Sequence, residues 1–378
     1  MATLPTYFSD FLKEVRPTEN QRNDLKQGHK TLRKRLKEDA DLAPLIVSDF
    51  LQGSYRRSTV VRPKGDNRSD VDIIVVTCMN KDEYTPSKAM DAFVPFLEKH
   101  YKDKWRPQGR SFGIELSYVE MDLVITAAPS ESVAGILGAK AVTADDSLAE
   151  AKDWRLVQGY IPLEERVTFS NDFLLQKALS DAASKPQWKT EPLWIPDREA
   201  EEWDETDPLA QIVWTQGKNG SCNGYYLGAV QAIKWWRRGF EDPKYPKGYP
   251  VEHLIGLCCP DDIKSVAEGV VLSLEKIVSD YYYNALLKTT PNLPDHGVPK
   301  HNVMGRVSGD DFAAFYDKVK EAAVIAREAY DETDTAKSAK CWRDLFGSKF
   351  PEPPSTPTKQ GGFTPREQVS SPGGGRFA

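Results

Sequence analysis

The chain reads as an α+β protein, a small mixed sheet backed by helices and followed by a mainly helical lobe. Three observations carry that reading. The β-branched run Ile73-Ile74-Val75-Val76 is short, apolar and bounded by turn residues, as buried strands are, and Ser117 to Ile125, ending Leu123-Val124-Ile125, is a second strand-like run. Between them Pro86-Ser87 opens an amphipathic helix to about Tyr101, with Phe93, Phe96 and Leu97 inward, which gives a β-α-β order. From Ala210 to about Gly347 the apolar spacing becomes helical. The sequence therefore divides into a core with an N-terminal bracing helix over 1–165, a helical lobe over 166–348 and a tail over 349–378.

Taken in order, Thr18 with Gln21 three residues on forms a capping box for a helix whose inner stripe is Leu25, Leu32 and Leu36, with His29 at the surface. Val47 to Leu51 leads into a Gly-Ser turn. Ser111 to Tyr118 and Val119 to Ala127 are two further sheet strands. Asp145 to Glu165 is a connection, and Asn171 starts another helix. Trp188 to Trp203 carries three tryptophans that require burial, so it reads as an ordered strap over the second lobe. Asn223 caps a helix with Leu227, Val230, Ile233 and Trp236 along one side. Helical segments follow at Pro250 to Cys258, Asp261 to Leu287, Gly309 to Thr333 and Ala336 to Phe346, with a loop at Pro291 to Lys300. Pro351 to Ala378 is dense in Pro, Gly, Ser and Thr and reads as a disordered tail.

At 378 residues the chain can bury two packed domains. No apolar run approaches the roughly 18–20 residues that span a bilayer, and the N-terminus lacks a secretory pattern, so a cytoplasmic location is expected. The five cysteines lack Cys-x-x-Cys spacing and the five histidines are scattered, which argues against disulfides and a zinc site. A net charge of −6 argues against a long nucleic acid as the main ligand and suits free nucleotides held by a few local cations.

The chemistry concentrates between Leu51 and Thr77. Gly53-Ser54 is a small polar turn; an arginine-rich segment follows; then Asp70-Val71-Asp72 enters the first apolar run. Alternate strand residues share a face, so Asp70 and Asp72 project together about 7 Å apart. Two such carboxylates repel unless a cation lies between them. Asp122, polar inside the second apolar frame, is the third acid. Three carboxylates with nucleotide phosphates suit two Mg²⁺ ions, or Mn²⁺ in their place, about 3.5–4 Å apart, the clamp for in-line phosphoryl transfer. Gly53 lets the backbone approach a phosphate, and Ser54 adds a hydroxyl and an N–H.

Gly-Ser, then Asp-x-Asp about sixteen residues on, then one Asp on a later strand, resembles the polymerase-β-like nucleotidyltransferase signature. The wording LQGSYRRSTVVRP and SDVDIIVV, with WIPDR further on, resembles the bacterial CD-NTases, the cGAS/DncV-like cyclic oligonucleotide synthases of anti-phage signalling. The resemblance is clearest over the first third. It implies a cleft between core and helical lobe, ATP with GTP as substrates, a cyclic di- or trinucleotide product and a downstream effector that reads it. It implies that Asp70, Asp72 and Asp122 are catalytic and hold the metals. It also implies that Gln52, Gly53 and Ser54 cradle the triphosphate and that Lys234 neutralises it; the alternative for Lys234 is a stem snorkelling beside Trp235. Relatives often carry Lys-Ser-Tyr where this chain has Lys247-Gly248-Tyr249, so the serine contact is missing while Tyr249 keeps the option of stacking on a base, its alternative being a core aromatic. Ser221 and Asn219 are weaker phosphate candidates; His253, His296 and His301 read as structural. Ala378, at the end of the tail, could enter an E1/E2-like ligase. The rival readings are a template-independent transferase that extends RNA and a nucleotide sensor without turnover; no obligate DNA, RNA or membrane partner is expected.

Overall fold

A computed structural model of the chain describes residues 3–65, 67–128 and 192–353. The connection at 145–165, the helix beginning at Asn171, the tail beyond residue 353 and Ala378 lie outside the described residues.

The core sheet has strands β1 (Ile46–Gln52), β2 (Asp70–Thr77), β3 (Trp105–Pro107), β4 (Phe112–Glu115) and β5 (Glu120–Ala127), in the order β1-β2-β5-β4-β3. β2 and β5 run parallel; the other pairings along this path are antiparallel. Parallel pairing needs a crossover, and helices α4 (Pro86–Asp91) and α5 (Val94–Tyr101) lie within it, two short helices where the periodicity predicts one. Val71, Ile73 and Val75 of β2 and Met121, Leu123 and Ile125 of β5 share a buried cluster with Leu25, Leu32 and Leu36 of α2 (Glu19–Glu38). The predicted capping box is present: Gln21 N–H donates to Thr18 Oγ1 at 3.2 Å, and the Thr18 N–H donates back to Gln21 Oε1 at 2.9 Å. His29, expected at the surface, is 1% exposed, because it lies on the same packed side as Leu25 and Leu32 and beside the Tyr55 ring.

The second lobe is helical as expected: α6 (Pro208–Ser221), α7 (Tyr226–Arg237), α8 (Tyr249–Cys258), α9 (Val266–Asp280), α10 (Tyr282–Leu286), α11 (Gly309–Asp331) and α12 (Thr335–Phe346). Its apolar cluster also takes in α1 (Pro5–Val15). The sequence reading placed those residues with the core, but Phe8, Phe11, Leu12 and Val15 are buried in the helical lobe, where the Phe11 and Phe346 rings stack at 4.6 Å.

Two further expectations are corrected. The Trp-rich strap, described from residue 192 onward, joins the core sheet, with Asp204 and Glu205 also paired to His301 and Lys300 of the helical lobe: β6 (Leu193–Asp197) and β7 (Glu202–Thr206) form a hairpin joined to β5 through Ala127 and Trp194. Trp203 packs on the core cluster, its indole N–H donating to Tyr84 O at 2.8 Å. Asn223 does not cap α7. Its φ is +54° and its amide donates to Ile263 O, while Asn219 Oδ1 accepts the Leu227 N–H in the first turn, a short-range capping contact made from the preceding helix. Nor is α7 apolar on one side alone, since Gln231, Lys234 and Arg237 are also buried.

Candidate active site

The strand register assembles the acids. Asp72 stands directly opposite Asp122, and Asp70 opposite Glu120, on the parallel pair β2 and β5. With a two-residue side-chain period, Asp70, Asp72 and Asp122 then share one face. That face turns apolar further along, where Ile74, Val76 and Val124 pack with Leu193. Burial, then the charges of Asp70 and Asp122, pushes the Asp72 carboxyl up to about 7. Burial and Asp70 raise Asp122 to about 6, against the pull of a hydrogen bond from Gln108. Asp70 raises the proton affinity of both other carboxyls, and three hard oxygen donors on one face are a set that a divalent cation such as Mg²⁺ or Mn²⁺ takes. Among the described residues, no three aspartate, glutamate, histidine or cysteine side chains lie close enough together to hold a metal ion by themselves. That is the ordinary case for Mg²⁺ sites completed by substrate phosphates.

Gln52, the last residue of β1, pairs with Asp72, and Gly53 and Ser54 begin the single-turn helix α3 (Gly53–Arg56). Gly53 has φ +72°, and a Cβ there would lie 1.7 Å from Asp72 Oδ2. Gly53→Ala therefore combines backbone strain with a clash against a site carboxylate. It is expected to lower turnover by about 100-fold or more, and steady-state kinetics on the folded variant check this.

The segment after the turn is held by the helical lobe. Glu252 on α8, 2% exposed, accepts from Arg57 Nε at 2.7 Å, Thr59 Oγ1 at 2.6 Å and Lys234 Nζ at 3.1 Å. Burial pushes Glu252 up, but Arg57 and Lys234 outweigh it and hold the carboxyl at about 2. Two cations share this one carboxylate. Both also pull the proton affinity of Asp72 down, so the surplus positive charge is felt at the acids. Along α7, Gln231 donates to Ser58 O at 2.9 Å and accepts from Arg16 Nε at 2.9 Å, and Arg238 donates to Arg62 O at 2.9 Å.

The remaining predicted residues fall in different places. Lys234 is 7% exposed and engaged by Glu252. Tyr249 is half-buried, with the Arg57 guanidinium 4.8 Å over its ring and its hydroxyl donating to Asp295 Oδ2 at 3.1 Å. Lys247 is exposed, its ammonium 5.6 Å from the Tyr245 ring centre. Ser221 ends α6 on the surface, donating to Asp261 Oδ1 at 2.7 Å. His296 is sandwiched between Trp214 and His253, with ring centres 3.7 and 4.0 Å away, and His301 pairs with Asp204 at 2.9 Å. Sequence reasoning missed Arg57, Thr59, Glu252 and Gln108. Glu252 did carry a signal, an acid set among Val251, Leu254 and Ile255, of the kind that marked Asp122.

A family model described as the Second Messenger Oligonucleotide or Dinucleotide Synthetase domain matches residues 1–128. The chain is 47% identical over 384 aligned positions to the cyclic AMP-AMP-GMP synthase of Enterobacter hormaechei subsp. hoffmannii, covering 99% of this chain and 100% of that protein. The chain belongs to the bacterial CD-NTases. It is a nucleotidyltransferase of the kind that generates cyclic oligonucleotides. An Acinetobacter cyclic AMP-AMP-AMP synthase is 31% identical, covering 92% of this CD-NTase and 86% of the relative. In fold it is similar to the Bradyrhizobium diazoefficiens CD-NTase CdnG in complex with GTP, with TM-score 0.60 and 11% identity over 91% of this chain and 95% of that one. The polymerase-β-like core and helical lobe are thereby the family's. No helix among the described residues is long and apolar enough to cross a membrane.

Proposed function

We propose that this CD-NTase joins two AMP units and one GMP unit, drawn from ATP and GTP, into a cyclic trinucleotide, each new phosphodiester bond breaking an α–β phosphoanhydride and releasing pyrophosphate. The observation that carries the chemistry is the register of Asp72 against Asp122 with Asp70 on the same face, beside a cation-rich latch. The choice of product rests on the 47% identity to a cyclic AMP-AMP-GMP synthase over nearly the whole chain. Asp70, Asp72 and Asp122 hold a pair of Mg²⁺ ions, with Mn²⁺ able to replace them. Such ions neutralise the triphosphate and acidify the acceptor 3′-hydroxyl.

Gln52, Gly53 and Ser54 cradle the phosphates through backbone N–H groups and the serine hydroxyl. Lys234 and Arg57 supply fixed positive charge behind them, and the Asp122 carboxylate receives the hydroxyl proton. Tyr249 offers a ring to a base, with Lys247 and Ser221 as outer contacts. A downstream effector in anti-phage defence would read the product. Ala378, outside the described residues, is where an E1/E2-like ligase would act.

The test is to incubate the purified protein with labelled ATP, GTP and Mg²⁺, with and without an RNA oligonucleotide, and to identify the product by mass spectrometry. A phosphatase-resistant ring of two AMP and one GMP, absent with the Asp70→Ala, Asp72→Ala double variant, is the expected result. Equal yield from that variant refutes the site, a ring of three AMP refutes the base composition, and extension of RNA alone favours the tailing transferase.

A further inference from the structure

Asp122 is held by a small device that the three-acid pattern does not require. The Gln108 amide donates from Nε2 to Asp122 Oδ1 at 3.2 Å. The amide is itself oriented, because Ser111 Oγ donates to Gln108 Oε1 at 2.9 Å, which leaves the NH₂ end toward the carboxylate. The 108–111 turn closes through Gln108 N–H to Ser111 O at 2.9 Å. Space for the amide comes from Gly113, which faces Asp122 across the β4–β5 pair. A Cβ at Gly113 would lie 2.6 Å from Gln108 Nε2. The turn is braced from outside by the hairpin: Arg198 N–H donates to Gly109 O at 2.8 Å, and Arg110 pairs with Asp197 at 2.8 Å and Asp204 at 3.0 Å.

We propose that Gln108 is a positioning residue for Asp122, its amide occupying Oδ1 so that the carboxylate is set in one orientation with its other oxygen directed to the cation and the acceptor hydroxyl. The inference rests on the nucleotidyltransferase reading of the site. A carboxylate ligand left free to rotate samples unproductive orientations, and losing such an outer partner typically costs about 10–100-fold in metal affinity or activity. Ser111 and Gly113 serve the same end at one remove. Ser111 selects the amide's flip, and Gly113 keeps its place open.

The test uses the full-length protein with Gln108→Ala and Gln108→Met, the second filling the same volume without a donor; either variant that keeps the wild-type thermal unfolding profile suffices. Two quantities are read: turnover with ATP and GTP, and Mn²⁺ binding by electron paramagnetic resonance with a non-hydrolysable ATP analogue. Expected are a kcat lower by about 10–100-fold, KM for ATP within about threefold, and Mn²⁺ affinity weaker by about tenfold. Gly113→Ala should reproduce the loss with Gln108 still present, since the new methyl would press on the movable end of the amide at 2.6 Å and meet the Arg106 side chain at an ordinary 3.5 Å. Combined with Gln108→Ala it should add nothing further, the non-additivity of two changes acting through one contact. A folded variant with kcat and Mn²⁺ affinity both within twofold of wild type overturns the proposal, and so does full additivity with Gly113→Ala. Should the wild-type protein make no oligonucleotide, the functional reading falls by itself, while the Mn²⁺ comparison still decides whether Gln108 positions Asp122.

Discussion

Asp72→Asn is expected to abolish turnover while making the metal-free protein more stable at pH 8. The Asp72 carboxyl is raised to about 7, first by burial and then by Asp70 and Asp122, whereas a free Asp titrates near about 3.9. The folded state therefore binds the proton more tightly than the unfolded chain. Stability from this group is full below about pH 4 and is lost as pH rises through about 7. Asparagine removes the charge that costs stability above that window. Discounting for the group's partial exposure and its coupling to the other acids, the gain at pH 8 is on the order of 1–2 kcal/mol. Turnover should fall by about 10³-fold or more, as several kcal/mol of charge stabilisation at the transferring phosphoryl group disappears. Thermal unfolding in chelator at pH 5 and pH 8, beside a turnover assay, measures both arms. A variant no more stable than wild type at pH 8, or one that keeps a tenth of the activity, contradicts the account.

Glu252→Ala is expected to be the most destabilising single change in the cleft. Glu252 accepts three hydrogen bonds while 2% exposed, and its loss leaves Arg57 and Lys234, themselves buried, without their shared counter-charge. Breaking such a pair by removing one partner costs about 3–5 kcal/mol. Glu252→Gln keeps the shape and one acceptor oxygen, so its cost should be smaller. Because Arg57 and Thr59 follow the Gly-Ser turn and Glu252 and Lys234 sit on α8 and α7, the latch joins the two lobes at the site. The alanine variant should therefore also weaken ATP binding, as the turn loses its anchor. Urea unfolding and nucleotide titration are the measurements, and a loss below about 1 kcal/mol would show that the network is not structural.

Comparing chain and fold, the strands and most helices of the second lobe follow from local pattern. The apolar runs 73–76 and 123–125 are too apolar to lie anywhere but a core, and Asp70, Asp72 and Asp122 stand out because each interrupts or borders such a run. Elements whose burial depends on distant partners were less legible. The helix at 5–15 and the hairpin at 193–206 each changed lobe, since an apolar stripe or a tryptophan declares that it must be covered without saying by what.

The sequence by itself determined the family, the sheet-and-helix class and the acids on alternate positions of β2, because strand periodicity and residue chemistry are local properties. Only the tertiary structure decided that Asp122 stands opposite Asp72, that Glu252 holds Arg57 from 195 residues further along the chain and Lys234 beside it, and that Gln108 reaches Asp122. The reason is physical. Register between strands, and charge pairing in a buried cleft, are set by the packing of segments remote in sequence, where no local preference carries the information.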